Sequence, residues 1–263
     1  MKTILILAIS LLIGVAAGND LSDKNVVIMG DSITWLGKDD CTGAKGWTTY
    51  WKEITRPKSV RSYARSGASW CNSPDTKPNT VENIGVLGSD NTVFNQIERL
   101  QEAISKGEQP VPDLIMIAAG TNDMWYHSHF PHVFDVSPVD AMGAPDQKVI
   151  EQGPSAATSI STAMKLAFAR FARICPEAEI IILTPLQATK INTSILEQGS
   201  DIIEKCAQLG GANVIRQDRE MPVDSAAERR SHNLTYDGVH TSEAGARANG
   251  KAIAARTLEL IAR

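Results

Sequence analysis

Four short polar blocks stand far apart in this chain, and their residue types belong to one kind of chemistry. They are Gly30-Asp31-Ser32-Ile33-Thr34, the glycine of Arg65-Ser66-Gly67-Ala68-Ser69, Gly120-Thr121-Asn122-Asp123, and Asp237-Gly238-Val239-His240. A serine hydroxyl becomes a nucleophile when a histidine takes its proton and an aspartate fixes the histidine tautomer. A backbone N–H and an amide side chain can receive the negative charge that develops on a carbonyl oxygen. Ser32, His240 and Asp237 supply the first set. The backbone N–H groups of Ser32 and Gly67, with the side chain of Asn122, supply the second. Such parts suit acyl transfer through a serine ester.

These groups need elements to position them. Apolar, β-branched runs occur at Val26–Met29, Val60–Ala64, Leu114–Ala119, Ile180–Leu183 and Ala212–Ile215, each reading as a strand. Helical spacing lies between them: Val93, Ile97, Leu100 and Ile104, then Ile160, Met164, Phe168 and Phe171. A last helix carries Ile253, Ala254, Leu258 and Ile261 on one face. Alternating strands and helices predict an α/β fold. The expected form is a three-layer flavodoxin-like sandwich with a central, mainly parallel five-stranded sheet and helices on both faces. Ligands bind such sheets beyond the carboxyl ends of the strands, which is where Ser32, Gly67 and Asn122 fall.

The blocks resemble those of the SGNH hydrolases, the family of GDSL-type esterases and lipases, from about residue 25 onward. The naming residues correspond to Ser32, Gly67, Asn122 and His240. The resemblance implies a hydrolase of short-chain carboxylic esters that needs no cofactor and no metal. An O-acetylated carbohydrate is the favoured substrate, with a lipid esterase or lysophospholipase and a non-catalytic carbohydrate binder as alternatives. One departure stands out: many members carry asparagine two positions before the glycine, whereas this chain has Arg65.

Other residues have quieter readings. Asp31 and Asp123 are expected to brace loops through backbone hydrogen bonds. Residues 124–154 show no clear period and are rich in aromatic and histidine side chains. They read as a long binding loop in which Trp125 and Tyr126 contact substrate. His127, His129 and His132 invite a metal reading, but suitably spaced carboxylates are missing nearby. Asn192-Thr193-Ser194 and Asn233-Leu234-Thr235 are glycosylation sequons if the host glycosylates.

The 263 residues with 43% hydrophobic content suffice for one sizeable α/β domain, expected over 19–263. Residues 1–18 carry Lys2, an apolar run and the small residues Ala16, Ala17 and Gly18, the pattern of a secretory signal peptide. A secreted or periplasmic protein without a stable membrane anchor is therefore expected. The formal net charge is −4, and loss of Lys2 makes it one unit more negative. A phosphate backbone needs a basic stripe, so nucleic acid is not an expected partner. Four cysteines in an exported chain favour disulfides; they allow three pairings, of which Cys41–Cys71 with Cys175–Cys206 is the natural one by sequence.

Overall fold

The computed structural model describes residues 20–82 and 84–262, so the expected signal segment lies outside the described residues. Five strands form one sheet: β1 (Asn25–Gly30), β2 (Ser59–Ser62), β3 (Leu114–Ala118), β4 (Glu179–Leu183) and β5 (Asn213–Ile215). Every pairing is parallel, and the spatial order is β2-β1-β3-β4-β5. All five strands coincide with the apolar runs of the sequence.

Successive strand residues face opposite sides of a sheet. Val26 to Gly30 and Leu114 to Ala118 are nevertheless buried at every position, so both faces of the sheet are covered. The helices pack as two groups. In the first, α11 (Glu243–Ile261) lies on α2 (Trp47–Thr55), where the buried Trp51 indole donates to Thr257 Oγ1 at 3.1 Å. The second joins α3 (Val93–Ser105), α7 (Ile160–Ile174) and α8 (Thr193–Leu209). The buried face of α11 runs through Ala246, Asn249, Gly250, Ile253, Ala254 and Thr257. Leu258 and Ile261 only flank it.

Short helices follow the strand ends: α1 (Ser32–Trp35) after β1, α4 (Thr121–Trp125) after β3, and α9 (Gln217–Glu220) after β5, with α10 (Ser225–Ser231) following α9. The order β2-β1-β3 reverses direction at β1, which opens a crevice beyond the carboxyl ends of β1 and β3.

Two sequence expectations are corrected. The segment 124–154 is not a featureless loop, because it contains α5 (Pro138–Met142) and α6 (Asp146–Gln152) as well as the end of α4. Ser137 caps α5 by accepting from Asp140 N–H, with Pro138 in the first turn. Both helices pack on α7, so this half of the segment joins the helical layer. The second correction concerns the cysteines, since Cys41, Cys71, Cys175 and Cys206 are all buried free thiols. Each is held among separate core partners. Cys41 meets Thr48, the Cys71 backbone N–H bonds Asp123, Cys175 ends α7, and Cys206 lies within α8 beside Ser161.

Candidate active site

Ser32 opens α1 directly after β1. Asp31 is the cap, its Oδ1 accepting from Ile33 N–H at 3.0 Å, which turns the chain sharply and leaves the Ser32 side chain at the strand end. Gly30 permits the turn: at φ +156° a Cβ there would lie 2.4 Å from the Ala118 carbonyl oxygen.

His240 approaches from the loop before α11. Its Nε2 lies 2.9 Å from Ser32 Oγ, and its Nδ1 lies 2.7 Å from Asp237 Oδ2. The other Asp237 oxygen accepts from the backbone N–H groups of Val239 at 2.9 Å and His240 at 2.7 Å. Burial pushes the Asp237 carboxyl up. Hydrogen bonds from the His240 ring and from these backbone groups outweigh that and hold its pKa below the usual carboxylate range. The carboxylate therefore stays ionised where it orients the imidazole.

The loop is fixed on every side. Tyr236 N–H donates to the His240 carbonyl at 3.0 Å, Thr189 N–H donates to the Gly238 carbonyl at 2.7 Å, and Thr241 Oγ1 donates to the Lys45 carbonyl at 2.7 Å. Ser242 then caps α11 by accepting from Gly245 N–H. The Tyr236 ring stacks on the His240 ring with centroids 5.7 Å apart and planes 14° from parallel.

Gly67 follows β2 with φ +83°, a backbone conformation that glycine adopts freely. A Cβ there would lie 2.0 Å from the Val86 carbonyl oxygen, so no larger residue fits. Among the described residues the backbone N–H groups of Ser32 and Gly67 have no acceptor. Asn122, in the first turn of α4, donates one amide hydrogen to the Ala68 carbonyl at 2.8 Å, which leaves its second hydrogen for another acceptor. The three groups can thus receive an oxyanion while His240, oriented by Asp237, takes the Ser32 proton.

Asp31 and Asp123 brace loops. Asp123 accepts from Trp70 N–H at 2.9 Å and Cys71 N–H at 2.7 Å, tying the Gly67 segment to the Asn122 turn. The Trp70 indole adds a bond to the Ala119 carbonyl at 3.1 Å. Burial pushes Asp31 up to about 6 against hydrogen bonds from the Thr121 side chain and Ile33 N–H. Arg65 anchors the same segment by pairing with Asp39 at 2.9 Å and donating to the Ala64 and Glu82 carbonyls.

Trp125 and Tyr126 follow Asn122 and stack on each other at 5.0 Å, with Lys190 Nζ 5.5 Å from the Trp125 ring centre. Lys190 adjoins Thr189, so this pair borders the Asp237–His240 loop. The three histidines diverge: His127 Nδ1 meets the Met124 carbonyl, His132 Nδ1 meets Asp135, and His129 lies against Tyr126. Among the described residues no group of three or more His, Cys, Asp or Glu is arranged to hold a metal ion.

The sequence reading did not single out Gln96, Asn91 or Tyr236. Gln96 binds both backbone groups of Gly30, and Asn91 Nδ2 donates to the Ser66 and Val86 carbonyls. Gln96 lies on the apolar face of α3 with Val93, Ile97 and Leu100, and a polar residue at such a position was the available signal.

The family model described as GDSL-like Lipase/Acylhydrolase matches residues 26–253. No curated protein matches the chain significantly. Among solved structures, a possible lipase from Chitinophaga pinensis is similar at 17% identity and TM-score 0.56, covering 90% of this chain and 98% of its own. A GDSL-like lipase candidate from Bacteroides uniformis is similar at 17% identity and TM-score 0.55, with 91% and 95% covered. A protein from Lactobacillus plantarum is similar at 14% identity and TM-score 0.57, with 90% and 97% covered. These likenesses speak to the fold, and the family match reaches from β1 into α11. The chain belongs to the GDSL-like lipase/acylhydrolase family and is a carboxylic ester hydrolase.

Proposed function

We propose that the chain cleaves short-chain esters of a carbohydrate through an acyl-serine intermediate, with Ser32 as nucleophile. The observation that carries this reading is the continuous relay from Asp237 through His240 to Ser32 Oγ. His240 Nε2 takes the hydroxyl proton as Ser32 Oγ attacks the ester carbonyl carbon. The tetrahedral oxyanion is held by the Ser32 and Gly67 N–H groups and by Asn122 Nδ2. Collapse breaks the bond to the alcohol, which leaves with the proton from His240. Water then attacks the acyl-serine by the same route and releases the acid.

Support for a carbohydrate alcohol comes from the aromatic rings around Ser32. Trp35 follows it by one helical turn and is 44% exposed, Trp125 follows Asn122 by one turn, and Tyr236 adjoins Asp237 and is 49% exposed. Aromatic faces pack against the apolar faces of sugars while sugar hydroxyls stay hydrated. The O-acetyl sugars expected from the sequence fall in this class. Export by a cleaved leader at 1–18 is part of the proposal, and no helix of the described residues is long and apolar enough to cross a membrane.

A second reading has one observation in its favour. Val81, Val86 and Leu87 are exposed on the segment that packs against Gly67, a feature suited to a lipid-ester surface. Acylated sugars and micellar lysophospholipid, each assayed with wild type and Ser32→Ala, decide between the two. Ser32-dependent turnover of the sugar esters alone supports the first reading, and Ser32-dependent turnover of the lipid alone replaces it.

A further inference from the structure

We infer that the sugar alcohol of the ester is acidic, bearing a carboxylate or a sulfate, and that Lys45 and Lys190 receive this anion at the rim of the His240 loop. The inference rests on the carbohydrate-esterase reading and deepens it by naming the charge class of the sugar.

The chemistry of the relay places the alcohol. His240 Nε2 must return its proton to the leaving oxygen, so that oxygen lies within hydrogen-bond reach of the imidazole when the ester bond breaks. The Tyr236 ring stacks on the same imidazole with centroids 5.7 Å apart and is 49% exposed, so the rest of the alcohol meets it next. Lys45 Nζ stands over that ring, 4.7 Å from its centre. Lys190 Nζ stands over Trp125 in the same way, and its neighbour Thr189 binds the Gly238 carbonyl of the His240 loop. Arg229 adds a third cation by reaching the Thr189 carbonyl at 3.3 Å.

Both lysines are exposed, and each is drawn to an aromatic face, which orders a side chain that would otherwise sweep through solvent. Neither is neutralised. Among the described residues the lysines that pair with carboxylates are Lys24, Lys106 and Lys165. The acids around the loop are engaged elsewhere. Asp237 accepts from the His240 ring and two backbone N–H groups, and buried Glu228 accepts from Leu234 N–H, Thr235 N–H and Thr235 Oγ1. Glu243, in the first turn of α11, pairs with Arg247 at 3.4 Å.

The free charge presented beside His240 is therefore positive, in a chain whose formal net charge is −4. A neutral sugar leaves these cations unanswered. An acidic one gains charge-assisted hydrogen bonds from them, against the repulsion that the protein's net charge would otherwise exert on it.

The test compares three mono-O-acetyl sugars: methyl glucuronide, its neutral carboxamide, and methyl glucoside 6-sulfate. kcat/KM is measured on wild type, Lys45→Gln, Lys190→Gln, the double variant and Lys45→Arg, with fluorophosphonate labelling of Ser32 in each preparation. Wild type is expected to prefer an anionic sugar to the carboxamide, and the better anion distinguishes carboxylate from sulfate. Each glutamine variant should lower the anionic-to-neutral ratio by about three- to five-fold, whereas Lys45→Arg keeps it. In the double variant the net negative charge should make the carboxamide the better substrate. Raising ionic strength from about 0.01 M to about 1 M shortens the screening length from about 30 Å to about 3 Å and should erode the wild-type preference. A wild type that prefers neither anion overturns the inference and leaves the esterase standing. So do glutamine variants that slow charged and neutral sugars alike, which is what a merely structural role would give. Labelled Ser32 with turnover of p-nitrophenyl acetate but of no sugar overturns the carbohydrate reading, and the inference with it. Absence of both labelling and ester turnover in wild type overturns the esterase reading and everything built on it.

Discussion

Gln96 grips Gly30 with both ends of its amide: Oε1 accepts from the Gly30 N–H at 2.8 Å and Nε2 donates to the Gly30 carbonyl at 2.8 Å. Gly30 stands two residues before Ser32, and the pair is fully enclosed. The clamp fixes the strand end from which the candidate nucleophile departs, so Gln96 is a positioning residue.

Gln96→Ala is expected to leave buried backbone groups without their partner. Each unpaired group costs about 1–3 kcal/mol. Urea unfolding should show a stability loss of that order. Because Ser32 then loses its fixed approach to His240, kcat should fall while KM stays within a few-fold. Wild-type kcat in a measurably destabilised Gln96→Ala would remove the positioning role and leave a purely structural one.

The contrast between Gln96 and the strands explains what was legible in the sequence. Val26–Met29 and Leu114–Ala119 are buried on both faces, and a continuous β-branched run encodes that directly. The polar blocks were legible because their residue types are rare in combination. Gln96 acts across 66 residues of chain, and nothing local announces its partner. α5 and α6 escaped because helices of 5 and 7 residues are shorter than the window in which a period can be counted. Arg65 departs from the family pattern at one position, yet its links to Asp39 and the Glu82 carbonyl hold the Gly67 segment by another route.

Ser32→Ala and His240→Ala should each lower kcat by roughly 10⁴- to 10⁶-fold, and the double variant should be no worse than either, because groups that act as one unit are not additive. Asp237→Asn should lose less. Asn122→Ala removes one oxyanion donor and should lower kcat by about 10²- to 10³-fold with a smaller change in KM. Steady-state kinetics on p-nitrophenyl acetate measures all five variants. A double variant much slower than both singles would separate Ser32 and His240 into independent contributions.

Asp31 gives the fold a pH dependence of definite sign. Its carboxyl is pushed from 3.8 up to about 6 by burial, so the folded protein keeps a proton that the unfolded chain releases between those values. Stability should be unaffected by this group below about pH 4, fall as pH rises through 6, and stay reduced above it, by about 3 kcal/mol in all. Asp31→Asn can still accept from Ile33 N–H but cannot ionise. Urea unfolding at pH 4 and pH 7 should therefore show a gain for the variant at the higher pH only. An equal shift at both would mean that the carboxyl is ionised throughout.

The four thiols offer a direct check on the cysteine arrangement. Burial pushes Cys41 and Cys206 up to about 11 and Cys175 up to about 12, and raises Cys71 as well, with Asp123 adding to the effect there. The thiolate is the reactive form, so burial and suppressed ionisation act together against modification. In the native protein, Ellman's reagent at pH 8 should therefore react with almost none of them, and after unfolding in guanidinium it should titrate all four cysteines without a reductant. Two titratable thiols after unfolding would instead mean one disulfide, and none would mean two. Partial reaction before unfolding would identify a cysteine whose enclosure opens in solution, and Cys71 would then be the first to examine, because it lines the same cavity as Gly67.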